Sequence, residues 1–91
     1  AAEYYNDEQA LISLAEAFMQ LNYRDSTELY FLKAVQTNPQ YAEAYQKLSI
    51  FYILQKNPQK ARFVLEKALE RISDSASVAD FNSMLEKLNT E

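Results

Sequence analysis

A chain of 91 residues that is 48% hydrophobic is the right size for one small domain and too apolar for a disordered tail. Its net charge of −4 argues against a nucleic-acid surface, and no apolar run reaches the roughly 18 residues that membrane insertion needs. With no His and no Cys, the chain cannot build Ser-His-Asp or Cys-His catalysis or a disulfide, and it lacks the preferred ligands of zinc.

The exclusions continue with glycine. There is none, and only two Pro. Tight β-hairpins need the positive backbone angles that Gly supplies, so short helices with non-glycine turns are expected instead. A phosphate-cradling loop is excluded on the same ground. No carboxylate pair sits in an apolar run that would shift its pKa. Neither an enzyme nor a bound cofactor or metal is therefore expected. The lack of Cys is neutral about compartment; the cytoplasm is slightly favoured and an extracytoplasmic site stays open.

In chain order, the sequence starts Ala-Ala without Met, as an excised domain or a processed product would. Leu11, Leu14, Ala15 and Phe18 form the apolar stripe of a first helix. Asp25, with Glu28 three residues on, reads as the capping box of a second helix, which Phe31, Ala34 and Val35 carry to Asn38. Tyr45, Leu48 and Tyr52 mark a third. Asn57 and Pro58 are an N-cap and first position for a fourth, striped by Ala61, Leu65, Ala68, Leu69 and Ile72. A polar turn, Asp74 to Ser77, precedes a fifth, with Val78, Phe81, Met84, Leu85 and Leu88 on one face.

A helical hairpin thus occurs twice, and the copies share a register. Leu11 maps onto Tyr45, Leu14 onto Leu48, Ala15 onto Ser49, Phe18 onto Tyr52, Thr27 onto Ala61, Phe31 onto Leu65 and Ala34 onto Ala68. Each pair lies 34 residues apart, with no gap. The tripeptide Asn-Pro-Gln, found at 38–40 and at 57–59, marks two different turns, one between hairpins and one inside the second hairpin.

The period and residue types resemble the tetratricopeptide repeat family, which asks for an aromatic, Leu, a small residue and an aromatic on its first helix, and Ala, an aromatic, Ala and a closing Pro on its second. Leu11, Thr27 and Ser73 depart from that pattern, and Ala15 and Ser49 replace its Gly. The resemblance implies an all-α fold: a right-handed α-solenoid of antiparallel hairpins with five helices in a single domain over 1–91. Repeat one would cover 8–41 and repeat two 42–75, with a capping helix over 76–91. Leu85, where the repeats keep a small residue, fits a helix with no partner to follow. Ala1 to Asn6 aligns with the tail of a preceding repeat, with Tyr4 and Tyr5 packing on the first helix.

The resemblance further implies a protein–protein interaction module, an adaptor or scaffold, that takes a peptide in a concave groove. The groove would be lined by Gln9, Ile12, Glu16, Met19 and Gln20, then by Glu43, Gln46, Lys47, Ile50, Ile53 and Leu54, with Asn82, Ser83 and Glu86 from the cap. One branch of the family clamps a C-terminal carboxylate with Lys and Asn. Those positions fall on Ile12 and Glu16, neither of which donates to a carboxylate, so an apolar or amphipathic segment is expected instead. Met19, Ile50 and Ile53 divide evenly between groove and core; Leu54, near a helix end, reads rather as core. The alternative function is self-association, as a homodimer or by stacking in a longer repeat protein. Leu29, Leu32 and Phe63 would form its apolar outer stripe. Tyr45 and Tyr52 read as core, Tyr23, Tyr30 and Tyr41 as residues that enrich an interface, and Glu66, Lys67, Glu70 and Arg71 as a solvated face.

Overall fold

The computed structural model describes residues 7–89; the expectation for Tyr4 and Tyr5 lies outside them. Five helices follow one another: α1 (Glu8–Gln20), α2 (Arg24–Thr37), α3 (Ala42–Leu54), α4 (Pro58–Arg71) and α5 (Ser75–Asn89). Helices α3 and α4 each begin 34 residues after α1 and α2, so the register read from side chains is also the register of the backbone. The fold is a slab of 43 × 29 × 15 Å. Two helices at the usual 8–10 Å separation, each with a Cα radius of about 2.3 Å, give a thickness near 14 Å. The molecule is therefore two helical layers deep, with α1, α3 and α5 in one and α2 and α4 in the other.

The turn inside each hairpin has the same construction. Helix α1 ends with Asn22 in the left-handed region at φ 65°, and α3 ends with Lys56 there at φ 59°. In the first turn the Tyr23 N–H donates to the Phe18 carbonyl at 2.9 Å and Asn22 N–H to Met19 at 3.1 Å. In the second, Asn57 N–H donates to Tyr52 at 2.9 Å and Lys56 N–H to Ile53 at 3.0 Å. These are Schellman closures, which usually place Gly at the left-handed position. Asn tolerates that conformation; Lys gains nothing local to offset its Cβ clash.

The first turn also corrects the expected cap of α2. Tyr23 is both the last residue of the α1 closure and the N-cap of α2, and it makes no side-chain cap bond. The chain is in the helix by Arg24, so Asp25 lies inside the first turn, where its carboxylate still complements the helix dipole. The cap of α4 forms as read, whereas the polar turn expected over Asp74 to Ser77 is already helix from Ser75. The Asn57 side chain accepts from Lys60 N–H at 3.3 Å, with Pro58 at the first helical position. Asp74 accepts from the Ser77 N–H and hydroxyl at 3.1 and 3.0 Å. Asn38 acts differently: its side-chain oxygen accepts from Gln40 N–H at 3.1 Å across Pro39, while its amide donates to Glu8 at 3.0 Å. The two Asn-Pro-Gln copies thus close different kinds of turn.

One core runs through the slab. Leu11, Ile12, Ala15, Phe31, Ala34, Tyr45, Leu48, Phe51, Leu65, Ala68 and Phe81 are all buried in it. Phe31 of α2 meets Phe51 of α3 at 6.2 Å between ring centres, and Tyr45 of α3 meets Phe81 of α5 edge-on at 6.4 Å. Small residues stand where helices cross closely. Two of them are polar and fully buried, and both are satisfied by their own helix. Thr27 donates to the Tyr23 carbonyl at 2.8 Å, and Ser49 lies 2.9 Å from the carbonyls of Tyr45 and Gln46. This is how the chain accommodates Thr27 and Ser49 where the repeat pattern asks for Ala and Gly.

Replacing Lys56 with Gly removes the left-handed Cβ clash, a cost of about 1–2 kcal/mol, and adds the backbone entropy cost of Gly, about 0.5–1 kcal/mol. Lys56→Gly is therefore expected to raise stability by roughly 0.5–1 kcal/mol, seen as a higher urea midpoint at unchanged m value. A lower midpoint would contradict this account of the turn.

Candidate functional site

Besides Leu21 and Tyr23 at the first turn, exposed apolar side chains group on two surfaces among the described residues. On the α1–α3–α5 layer, Ile50 is 44%, Ile53 39% and Leu54 63% exposed. Helix α3 leaves them outside because its Ala44, Tyr45, Leu48, Ser49, Phe51 and Tyr52 already fill the contacts with its neighbours. Ile50 and Gln46 face Asp80, Ser83, Met84 and Lys87 of α5 across a shallow cleft of about 280 Å³. Met19 and Leu54 meet in a second hollow of about 200 Å³, shared with Asn22, Arg24 and Gln55 near the turns. Of the residues expected on one groove, Gln46, Ile50 and Ser83 thus fall in one hollow and Met19 and Leu54 in another, while Ile53 lines neither.

Ile12 belongs to neither. It is 3% exposed, buried in the core, and is a correction to the expected groove. Helix α1 packs on both α2 and α3, so the adjacent residues Leu11 and Ile12, about 100° apart around the helix, are both covered. Leu54 departs the other way: the turn after α3 lifts it off the core into solvent.

Several polar members of the expected groove already have partners. Lys47 Nζ donates to Glu16 at 2.7 Å between α3 and α1, with both side chains more than a third exposed. The hydrogen bond to Glu16 raises the pKa of Lys47. Gln9 donates to the Tyr41 hydroxyl at 3.2 Å, which in turn donates to Glu43 at 3.4 Å. A charge-paired Lys47 offers little to a free carboxylate. Of the residues expected from the cap, Ser83 lines the α3–α5 cleft, while Asn82 and Glu86 are exposed.

On the opposite layer, Leu29 is 48%, Leu32 38% and Phe63 59% exposed. Between α2 and α4 lies a cleft of about 270 Å³, walled by Leu32, Val35, Phe63 and Val64 and floored by Tyr45 and Leu48 of α3. Lys67 and Arg71, one and two helical turns beyond Phe63, stand along its α4 edge. The Arg71 guanidinium donates to the Tyr45 hydroxyl at 3.2 Å, and that hydroxyl donates to the Pro39 carbonyl at 2.8 Å. Lys67 lies 5.6 Å from the Phe63 ring centre and 3.8 Å from Glu70. In sequence Lys67 and Arg71 read as part of a solvated face with helix-type pairs, and Lys67–Glu70 is such a pair; the cleft beside them is not part of that reading. The missing signal was tertiary: Tyr45, 26 residues earlier, reaches through the layer to hold Arg71.

Of the three aromatics expected to enrich an interface, Tyr23 alone is well exposed, at 56%. Tyr30 stacks on Phe18 at 5.5 Å, and Tyr41 packs against the core. Among the described residues no group of His, Cys, Asp and Glu side chains could hold a metal ion, and no helix is long and apolar enough to cross a membrane.

Residues 28–85, from within α2 to within α5, match the family model described as Tetratricopeptide repeat. No curated protein matches the sequence. The match spans well over half of the chain, and the chain belongs to this family of helical-repeat modules, which are typically non-catalytic and bind other proteins.

The interior edge of the fold carries one pH-sensitive contact. Tyr52 donates to Glu28 at 2.5 Å, and Lys60 approaches the same carboxylate at 3.5 Å. Burial, reinforced by that hydrogen bond, raises the Tyr52 pKa well above its ordinary value. A raised folded-state pKa means that the contribution is whole below about pH 10, the unfolded value, and is lost as pH rises beyond it. The urea midpoint of the natural chain should therefore fall more steeply between about pH 9.5 and 11.5 than that of Tyr52→Phe. Parallel curves would contradict the assignment.

Proposed function

We propose that this two-repeat module, with repeats over 8–41 and 42–75 and α5 as its cap, binds an apolar or amphipathic protein segment on the α1–α3–α5 face. The observation that carries this reading is the exposure of Ile50, Ile53 and Leu54 on a helix that is otherwise consumed by the core. Solvent-facing Ile and Leu at such spacing suit the apolar side of a partner helix or of an extended segment. Met19 at one end and Met84 at the other add adaptable contacts. The Glu16–Lys47 pair between them favours a segment without a free terminal carboxylate.

Self-association through Leu29, Leu32 and Phe63 is the alternative, supported by their joint exposure. Charge weighs against it. Helix α4 carries Lys60, Arg62, Lys67 and Arg71 against Glu66 and Glu70, a net +2 on a chain of net −4. A two-fold dimer that set α4 against α4 would oppose like charges.

The test uses peptides selected from a random display library on the folded domain. Ile50→Glu should weaken their binding at least tenfold and shift stability by no more than about 0.5 kcal/mol, as expected for a surface change. Ile12→Glu should instead unfold the domain, because it buries a charge. Undiminished binding by Ile50→Glu would overturn the proposal.

A further inference from the structure

The cleft between α2 and α4 has two properties that together define an occupant. Its walls are apolar, and the charged side chains lining it, Lys67 and Arg71, are both cations. At about 270 Å³ it falls just below the range of roughly 300–1,000 Å³ typical of sites for whole small molecules, so it suits one bulky side chain of a longer chain. Phe63, Lys67 and Arg71 recur every four residues along α4 and therefore line one edge in sequence, apolar first and cationic after.

The cationic end is built rather than incidental. Arg71 spends one donor on the Tyr45 hydroxyl, which is itself anchored on Pro39, and the rest of its planar guanidinium is left for a partner. Glu70 competes for both cations, at 3.8 Å from Lys67 and beside Arg71 in sequence, in a weak pairing between exposed groups.

We propose that this cleft docks an acidic peptide segment, with one Leu, Ile or Phe side chain inserted between Leu32 and Phe63 and a carboxylate a few residues away held by Lys67 and Arg71. The surface lies on the layer opposite Ile50, so the domain would hold two protein segments at once, one on each face. Charge selects the occupant: a second copy docked α4 to α4 opposes cations with cations, whereas an acidic segment complements them.

The test is fluorescence anisotropy with fluorescein-labelled nine-residue peptides carrying a central Phe flanked by Asp, beside controls with Lys for Asp or Ser for Phe. The Phe–Asp peptide should bind, more weakly as salt rises, and both controls should bind at least tenfold more weakly. Phe63→Ser and the pair Lys67→Glu with Arg71→Glu should each cost at least tenfold, while Ile50→Glu changes nothing. Circular dichroism checks folding, and Lys67→Gln with Arg71→Gln replaces the reversal if it unfolds. No binding of the Phe–Asp peptide, equal binding of the Lys-flanked control, or loss only in Ile50→Glu would overturn the proposal. So would sedimentation velocity showing a dimer that Phe63→Ser dissociates, since the cleft would then belong to a second copy. The variants on opposite faces keep failure here distinct from failure of the α1–α3–α5 site.

Discussion

The structure depends on α3 being buried from both sides. Five helices in two layers share a single layer of core side chains, and α3 packs on α1, α2 and α4 within it. Phe51 reaches back to Phe31 in the first hairpin. Tyr45 reaches forward to Phe81 in the cap, and sideways to Arg71. Tyr52 joins Glu28 and lies 5.5 Å below the Lys60 ammonium. A two-repeat array cannot bury its hairpins separately, since the first alone would expose the face that α3 covers and the second alone would expose α3. The buried Ala and Ser positions on every one of the first four helices let neighbouring helices approach closely.

The same constraint produces the outer surfaces. A helix that is apolar nearly all round has more apolar positions than neighbours, so Ile50, Ile53 and Leu54 are left over. On the far layer, α2 and α4 stand apart over the floor that α3 provides, and the gap between them is the cationic cleft. Both candidate surfaces are therefore consequences of how α3 is enclosed. Neither needs a moving part: a rigid scaffold presents both.

The helices and their 34-residue register were legible in the sequence because burial is periodic and the two copies reinforce each other. The Asn57–Pro58 start of α4 was legible for a local reason, a side chain that satisfies a nearby N–H. The cap of α2 was not, because the Schellman closure of α1 consumed Tyr23 and drew the helix start forward. Ile12 was misplaced because one stripe of a helix packed on two neighbours looks the same as one packed on a single neighbour. Leu54, given to the groove but weighed a little toward the core, is exposed, and that depends on where the turn begins. Lys56 in the left-handed position left no local mark at all. Arg71 became interpretable only when Tyr45 was seen to reach it.

The shared role of α3 is tested most directly by residue-resolved native-state hydrogen exchange under a series of low urea concentrations. The account predicts that the most protected amides of α1, α2, α3 and α4 converge on one opening free energy, equal to that of global unfolding, with α3 exchanging only by that route. If the α1–α2 amides open at a clearly lower free energy while α3–α5 stay protected, the hairpins are independent units. The claim that α3 holds the whole slab, and with it both surfaces, would then be contradicted.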